Sequence, residues 1–279
     1  MPATLVTSRA NPRVKQLRAA FAGQARLCGG LIAIEGEHLL NEARRSGLVF
    51  KTIFLSEHME ALVRVPRGVE FLHLTDEVFA SVVDTQSPQG IAALLVRPAW
   101  TIEDALPAQT SANEPPLLLI AAGLQDPGNL GTLIRSAEAF GATAVLTTPG
   151  TVSGWNQKAM RASAGSVFRV PVAAITLADV PTLKSRGLRL FAAVADADSD
   201  APQHPTSICV AAANLTQPCA LMIGNEGAGL SEEWLQLADA RITIPTPGRV
   251  ESLNAAIAGS LLLYEASRQR AASQLTTDN

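Results

Sequence analysis

An arginine placed shortly after a tight turn gives the first indication of chemistry in this sequence. In the stretch Leu124–Gly141, LQDPGNLGTLIRSAEAFG, a strand ends near Ala122 and DPGN is a strong turn signal, so we predict a helix from about Leu130. Arg135 then lies one turn into a helix that follows the carboxyl edge of a sheet, where its guanidinium could bind a phosphate in bidentate fashion. The alternative is a surface ion pair between Arg135 and Glu138, which would contribute little stability.

A second stretch places glycines directly after an apolar strand. The heptapeptide GNEGAGL carries Gly224, Gly227 and Gly229, which would let backbone amides approach a ligand closely, and it exposes Glu226 to whatever binds there. It is not the GxGxxG dinucleotide fingerprint. A tight turn before a helix capped by Ser231 is the alternative interpretation.

The third stretch, Arg241–Leu263, has the same plan of strand, loop and helix. A short strand ending at Ile244 is stopped by two prolines, and Glu251, Ser252 and Asn254 then gather polar groups at the entrance of a helix. Open α/β sheets bind their ligands at such carboxyl edges, so we predict a ligand site here. An ordinary strand–turn–helix connection is the alternative.

Basic residues are concentrated in two regions although the formal net charge is −3. The first 34 residues contain no acid, and a second basic segment, KAMRASAGSVFR, begins at residue 158. This distribution keeps RNA or DNA open as a partner, with solvated surfaces as the alternative. The residues that would bind RNA are Arg9, Arg13, Lys15, Arg18, Lys158 and Arg161.

Several function classes have little support in the sequence. The three cysteines form no CxxC pair and the four histidines are scattered, so we expect no metal site. The chain has no GxSxG elbow, Walker loop or HExxH motif. No apolar run reaches the roughly 18 residues of a membrane span, and the N-terminus lacks the apolar core of a signal peptide, so we expect a cytoplasmic protein. The profile favours cofactor-dependent group transfer over hydrolysis.

The elements that must position these residues form two series of alternating strands and helices. We predict an α/β domain with a basic arm at 1–98, a proline-rich linker at 99–116, a second α/β domain at 117–270 and a disordered tail at 271–279. Continuous apolar strands such as LLLIAA indicate a parallel sheet that is covered on both faces. In the second domain we predict strands at 117–122, 143–147, 167–172, 188–194, 219–224 and 241–244, and helices near 130–140, 156–163, 176–186, 231–238 and 252–268.

Three ordered stretches carry a resemblance to a known family. DPGNLGTLIRSAEAFG, IGNEGAGL and IPTPGRVESLNAAIA resemble the signature motifs of the SpoU (TrmH-like) branch of the SPOUT RNA methyltransferases, and RASAGSVFRVPV between them also matches. TSRANPRVKQLR, IEGEHLLNEA and DTQSPQGI resemble the substrate-binding domain that precedes the catalytic domain in many members. The resemblance spans nearly the whole chain apart from the linker and tail. It implies methylation of a ribose 2′-hydroxyl in structured RNA by S-adenosylmethionine, with ribosomal RNA favoured.

The resemblance also implies a fold and a set of site residues. The fold is a ribosomal-protein-like α/β domain followed by a parallel-sheet α/β domain whose C-terminal segment forms a deep trefoil knot. The knot would build the cofactor pocket and much of a homodimer interface. The small residues of the last helix would pack closely against the cofactor loop and the partner subunit. The family's polar active-site positions correspond to Asn129, Arg135, Glu226, Ser252 and Asn254, and its cofactor-binding positions to Gly224, Asn225, Gly227, Ile244 and Leu253.

The family resemblance assigns roles to the polar residues. Arg135 matches an arginine proposed as proton acceptor, but a guanidinium is ordinarily never deprotonated, so orienting the hydroxyl and a phosphate is the safer role. Asn129, Ser252 and Asn254 would position that arginine and the ribose. Glu226 would fix the loop geometry.

One departure from the family pattern lies in the third motif, where the common IPM is replaced by IPT with an added Pro247. We expect altered packing near the cofactor and retained activity. The alternatives are a transfer-RNA methyltransferase of the same family, a non-catalytic RNA-binding or ribosome-assembly relative, and an α/β oxidoreductase. The intact polar set disfavours the non-catalytic relative and the missing GxGxxG disfavours the oxidoreductase, while the choice between a housekeeping and an antibiotic-resistance role stays open.

Overall fold

The computed structural model describes residues 5–59, 68–83, 85, 87–106, 115–195 and 207–277. The chain divides into two compact units, one of residues 1–99 with 155–157 and one of residues 100–154 with 158–279. Within the described ranges, no helix is long and apolar enough to cross a membrane.

The first unit is built around a five-stranded mixed sheet. Its strands are β1 (Leu5–Val6), β2 (Leu31–Glu35), β3 (Phe50–Ser56), β4 (Glu70–Leu74) and β5 (Ile91–Val96). Its helices are α1 (Pro12–Phe21), α2 (Ala25–Cys28), α3 (Glu37–Arg45) and α4 (Asp76–Ala80). The strand order is β1-β4-β3-β5-β2, and β5 runs antiparallel to both of its neighbours. Helix α1 contributes Val14 and Leu17 to a core that includes Phe54 and Phe79.

The second unit contains a seven-stranded sheet in which every pair of neighbouring strands is parallel. Its strands are β6 (Leu117–Ala121), β7 (Ala144–Thr147), β8 (Val172–Ala174), β9 (Arg189–Ala193), β10 (Ile208–Cys209), β11 (Cys219–Ile223) and β12 (Ala240–Thr243). The strand order is β10-β12-β9-β11-β6-β7-β8. Every residue of the central strands β6 and β11 is buried, which confirms the predicted parallel α/β fold with a sheet covered on both faces.

Helices cover both faces of this second sheet. They are α5 (Ile102–Ala105), α6 (Pro127–Ala139), α7 (Gln157–Ala162), α8 (Val180–Ser185), α9 (Glu232–Leu237) and α10 (Ala255–Thr277). One core contains Ala105 of α5, Leu183 of α8 and Trp234 of α9 together with residues of the strands. Helices α6 and α10 pack against each other, and α10 also packs on β11.

The start of α6 differs from the prediction of a helix from about Leu130. The helix begins at Pro127, because the Asp126 side chain accepts hydrogen bonds from the backbone N–H groups of Gly128 and Asn129. Proline is tolerated at the first helical position, where its missing N–H has no helical partner to lose. The DPGN signal therefore marks a helix cap and first turn.

A second difference concerns the strand predicted at 167–172, which was wrong. Residues Ser166–Phe168 form a 3-10 turn, and β8 begins only at Val172. Val167 and Phe168 are buried in the turn. A short apolar run is compatible with either a buried turn or a strand, so its composition did not distinguish them.

The predicted linker and tail also differ from the structure. Within 99–116, Thr101 and Asp104 form a capping box that starts α5, and Leu106 is buried in the core of the second unit, while residues 107–114 lie outside the described ranges. Residues 271–277 continue α10 instead of forming a disordered tail. The two short strands β1 and β10 were not predicted.

Helix α10 is held in place at two points, Gly259 and Arg270. A Cβ atom on Gly259 would lie 2.4 Å from Leu133 Cδ2 of α6, so only glycine permits this approach without displacing that side chain. Farther along, the Arg270 guanidinium donates to the carbonyl oxygens of Leu215 at 3.0 Å and Gln217 at 3.0 Å, beside the start of β11. Burial holds the pKa of Arg270 below its usual range.

Candidate active site

A cleft of about 710 Å³ lies at the carboxyl ends of β9, β11 and β12. This volume is within the range of small-molecule and cofactor sites, and the position follows the rule for open parallel sheets. Its walls come from Ala193–Ala195, from Ile223–Leu230 and from Glu251–Ala255, together with residues of β12 and the loop after it. The residues predicted for cofactor binding that line it are Gly224, Asn225, Gly227, Ile244 and Leu253.

The loop after β11 has a tightly determined backbone. Asn225 and Gly229 exchange two backbone hydrogen bonds of 2.9 Å each, and the Asn225 side-chain oxygen accepts from the N–H groups of Gly227 and Ala228. A Cβ atom on Gly224 would lie 2.1 Å from the Gly229 carbonyl carbon. Gly229 itself adopts a φ of 68°, which favours glycine. The three predicted glycines therefore include two that the loop itself requires.

Three polar side chains from the three sequence motifs form one hydrogen-bonded chain, which we call the polar relay (Asn254, Asn129 and Glu226). Asn254 caps α10, since its side-chain oxygen accepts from the N–H groups of Ala256 and Ile257. Its amide nitrogen donates to the Asn129 side-chain oxygen at 3.1 Å. Asn129 in turn donates to Glu226 Oε1 at 2.9 Å. The relay connects the cap of α10, the first turn of α6 and the loop after β11.

Glu226 ends the relay as an ionised acceptor. Its carboxylate also accepts from the backbone N–H groups of Gln125 and Asp126, each at 3.3 Å. Burial by itself raises the pKa of Glu226, but the hydrogen bonds from Asn129 and from these backbone groups outweigh it, so the pKa lies below its ordinary value. A carboxylate held in this form stabilises the entry to α6 and is poorly suited to accept a proton at neutral pH.

Arg135 lies on α6, exposed and without a hydrogen-bond or ion-pair partner among the described residues. The predicted alternative, a pair with Glu138, is wrong, because Glu138 is bound by Arg169. Arg135 lies one turn after Gly131, at which a Cβ atom would be 2.3 Å from the Ala159 carbonyl oxygen of α7. The close contact of α6 with α7 therefore fixes the helix that carries this arginine.

The basic residues of α7 differ from each other. Lys158 forms an ion pair with Asp126 at 3.1 Å, and its hydrogen bond is the largest of the causes that hold the pKa of Asp126 below its usual range. Arg161 is exposed and has no partner in the described part of the chain. Lys158 thus already supports the capped start of α6, whereas Arg161 is free to bind an anion.

The predicted basic residues of the N-terminal arm lie in the first unit, and three of them are engaged. Arg9 pairs with Glu77 at 2.7 Å, and Arg13 pairs with an acid at the start of β4 at 2.6 Å. Arg18 donates to the Ser81 hydroxyl at 3.3 Å. Only Lys15, which is exposed on α1, has no partner within the described ranges.

Ser252 lines the cleft but stands apart from the polar relay. It is exposed in the loop before α10 and makes no hydrogen bond to another described residue. Arg135 and Asn129 do not line the cleft, although Asn129 reaches it through Asn254 and Glu226. The structure thus brings Asn129, Glu226 and Asn254 together, and it gives Ser252 and Arg135 no partner among the described residues.

Sequence reasoning missed two contributors to this site. Asp126 caps α6 and binds Lys158, so it organises the helix that carries Asn129 and Arg135. The segment Ala193–Ala195 after β9 forms one wall of the cleft. The parallel order of the strands was the available signal, because the carboxyl end of β9 must lie beside that of β11.

Two known protein families match this chain, one in each of its two units. Residues 116–264 match the SpoU rRNA Methylase family, and residues 11–93 match the MRM3-like substrate binding domain. The chain is 32% identical to the 23S rRNA (guanosine(2553)-2'-O)-methyltransferase RlmP of Bacillus subtilis (strain 168), over 93% of this chain and 97% of that protein. It is 31% identical to the mitochondrial rRNA methyltransferase 3 of Homo sapiens, over 86% of this chain and 68% of that protein.

Solved structures give the same result. The SpoU methyltransferase AviRb from Streptomyces viridochromogenes in complex with AdoMet superposes with a TM-score of 0.80 at 28% identity, over 94% of this chain and 98% of that chain. An AdoMet-bound rRNA methyltransferase from Sinorhizobium meliloti superposes with a TM-score of 0.80 at 30% identity, over 95% of this chain and 98% of that chain. With three ordered motifs, a parallel sheet and a cleft at its carboxyl edge, the chain belongs to the SpoU rRNA methylase family.

Proposed function

We propose that this protein transfers a methyl group from S-adenosylmethionine to a ribose 2′-hydroxyl of ribosomal RNA. The observation that carries the proposal is the polar relay, which joins the three family motifs at the edge of a cleft of cofactor size. The names of the relatives from Bacillus subtilis and Homo sapiens support ribosomal RNA as the substrate class. A transfer RNA is the alternative substrate within the same family.

The cleft fits S-adenosylmethionine by its backbone. Gly224 and Gly227 leave the wall after β11 without side chains, and Asn225 holds the shape of that loop. Ile244 and Leu253 add apolar surface to the lining of the cleft. We assign these five residues to cofactor binding. When bound, the cofactor supplies an electrophilic methyl group on a sulfonium, so the chain itself needs to bring a hydroxyl into line with it.

The exposed side of the site is suited to hold the ribose. Arg135 has no partner in the part of the chain that the structure describes, so it can donate to a phosphate and to the hydroxyl oxygen at once. Because a guanidinium keeps its protons, we assign Arg135 to orientation of the hydroxyl and not to proton removal. Ser252 and Asn254, at the cleft, would position the ribose, while Asn129 and Glu226 keep the loop and the helix together.

The first unit supplies the RNA-binding part of the proposal. We assign residues 1–98 to substrate binding, with Arg9, Arg13, Lys15 and Arg18 contributing phosphate contacts. In the second unit, Lys158 and Arg161 of α7 would add phosphate contacts of their own. Residues 117–270 then form the methyl-transferring domain, in a protein that acts in the cytoplasm.

We also infer a homodimer with a knotted C-terminal domain. Ile257, Leu261 and Tyr264 are 53%, 42% and 52% exposed, and their spacing puts them on one face of α10. Exposed apolar residues at helical spacing favour burial against a second copy. Strand β12 lies beside β9, on the side away from β11. The chain then returns, and α10 packs on α6 and β11. This path supports a threaded C-terminal segment.

The test is transfer of labelled methyl from S-adenosylmethionine to ribosomal RNA from cells that lack the enzyme, with mapping of the 2′-O-methyl position. We expect transfer by the unaltered protein and a loss on the order of 100-fold in Arg135→Ala. Arg135→Ala should keep its thermal stability, since the side chain has no partner in the described structure. The matched control is Arg186→Ala. Arg186 is also exposed, and it lies just before β9, where the strand begins, away from the carboxyl ends that hold the cleft.

Two outcomes would contradict the proposal. One is the absence of transfer to any RNA fraction, with RNA binding intact, which would indicate a non-catalytic RNA-binding role. The other is an Arg135→Ala protein that methylates as fast as the Arg186→Ala control.

A further inference from the structure

The first unit carries opposite charges at the two ends of its sheet. Strands β2, β3 and β4 run in the same direction, so all three begin at one end of the sheet and finish at the other. Exposed acids follow the finishing ends, with Glu37 after β2, Glu57 after β3, and Asp76 and Glu77 after β4. The starting end carries mainly cations.

The backbone gathers four of these cations, which we call the basic end: Arg26, Arg44, Lys51 and Arg97. Leu31, the first residue of β2, lies opposite Val96, the last residue of β5, so Arg26 before β2 and Arg97 after β5 are at the same end of the sheet. The Val96 N–H donates to the Val49 carbonyl at 2.9 Å, which brings the start of β3 and Lys51 to the same place.

Arg44 reaches this end from α3. It lies in the last turn of the helix, and the turn at Gly47, with a φ of 72°, leads directly into β3. The four cations therefore come from four different elements that meet at one end of one rigid sheet. Their proximity follows from strand register and does not depend on side-chain conformation.

Among the described residues, no neighbouring acid neutralises the positive charge at this end. All four side chains are exposed, and none has an ion pair or hydrogen bond to another residue that the structure describes. The acids at this end are already engaged, Glu42 with Arg45 at 3.0 Å and Glu70 with Arg13 at 2.6 Å. At the other end of the sheet, where the exposed acids follow the strands, the cation Arg9 is paired with Glu77.

We propose that the basic end of the first unit is a contact surface for the phosphate backbone of the RNA substrate. The inference rests on the proposed function, since it deepens the description of the same substrate. Four exposed cations on separate elements, with no partner in the described ranges, suit a chain of phosphates, and the acids at the opposite end repel it. The RNA would thus be oriented on the first unit by its charge polarity, and the paired arginines of the arm would contribute less than their number suggests.

The test is the salt dependence of RNA binding by the full-length protein, measured with ribosomal RNA fragments in the triple variant Arg44→Gln, Lys51→Gln and Arg97→Gln. Each lost phosphate contact lowers the slope of log affinity against log salt by about 0.7 to 0.9, so we expect the slope to become shallower by about 2 to 3. At 0.15 M salt the affinity should fall on the order of 100-fold. S-adenosylmethionine binding and the thermal unfolding midpoint should stay unchanged, which excludes a folding defect.

The matched single controls are Arg97→Gln and Arg186→Gln, which remove one exposed, unpartnered charge each. Arg97→Gln should reduce the slope by about 1 and Arg186→Gln should not change it. A triple variant that binds RNA with the slope of the unaltered protein would overturn the inference and leave the basic end as a protein-docking or solvated surface. Methyl transfer by the unaltered protein is measured on the same RNA, so a failure of the proposed function would be seen separately.

Discussion

The two sides of the candidate site are organised in opposite ways. On the cleft side, Glu226, Asn129 and Asn254 hold one another through hydrogen bonds of 2.9 and 3.1 Å. On the exposed side, Arg135 and Arg161 have no partner in the described part of the chain. Groups that are already fixed lose little conformational freedom when a ligand binds, whereas an exposed arginine becomes ordered only on contact. The cleft is therefore preorganised for a small ligand, and we propose that the helix face becomes ordered only when RNA binds.

The largest effect is expected from a substitution in the preorganised loop after β11. In Gly224→Ala, the new Cβ would lie 2.1 Å from Gly229 C and 2.3 Å from Leu230 N, and both are backbone atoms that cannot move aside. We expect a loss of about 3 kcal/mol in the free energy of unfolding and a fall of more than about 100-fold in S-adenosylmethionine affinity. Denaturant unfolding and calorimetric titration measure the two effects.

The matched control for this glycine is Gly248→Ala in the loop before α10. A Cβ atom on Gly248 meets no atom within 4 Å, so its substitution should change the free energy of unfolding by no more than about 0.5 kcal/mol. If Gly224→Ala binds the cofactor as well as Gly248→Ala does, the backbone of the loop does not preorganise the cleft.

The family resemblance supplied most of the polar set, and the residue pattern alone did not. Glu226 lies 97 positions from Asn129, and Asn129 lies 125 positions from Asn254, so no local spacing connects them. Parallel strands could be predicted because every residue of β6 and β11 is apolar and buried on both sides. Such continuous apolar strands predict which edge of the sheet holds the site, but not which side chains meet there.

The errors arose where local patterns competed with distant partners. An Arg135–Glu138 pair is reasonable at helical spacing, yet Arg169, 31 positions away, binds Glu138 through two nitrogens. The basic arm suggested free phosphate ligands, but Arg9 pairs with Glu77, 68 positions away. In each case tertiary contacts decided which charges stay free.

A smaller effect is expected from the contact that holds the exposed side in place. Gly131→Ala would put a Cβ 2.3 Å from the Ala159 carbonyl oxygen and 2.7 Å from Ala162 Cβ, so α6 and α7 must separate. Overpacking costs about 1 to 3 kcal/mol and the gain in helix propensity offsets about 1 kcal/mol, which leaves a net loss of up to about 2 kcal/mol. Because Arg135 moves with α6, kcat should fall by about 10- to 100-fold while cofactor affinity changes little.

The control for Gly131→Ala is Thr132→Ala, at the next position on the same helix, where the side chain is exposed. Its stability and its cofactor affinity should match those of the unaltered protein. A Gly131→Ala enzyme that lost cofactor affinity and kcat together would mean that the two sides of the site are not separately organised.

The smallest effect concerns the charge at the end of the polar relay. The pKa of Glu226 is lowered from its ordinary value of 4.5, so its contribution to stability is complete above that value and is lost as the pH falls through the lowered, folded-state pKa. Glu226→Gln should therefore cost stability at pH 7, by less than about 1 kcal/mol because the carboxylate is exposed, and the difference between the two proteins should shrink below about pH 4.5.

Asp126 and Glu138 also have lowered pKa values, but they titrate in both proteins and cancel in this difference. Urea unfolding from pH 3.5 to 7 measures it, and a difference that grows on acidification would mean that the backbone N–H groups of Gln125 and Asp126 do not hold an ionised carboxylate.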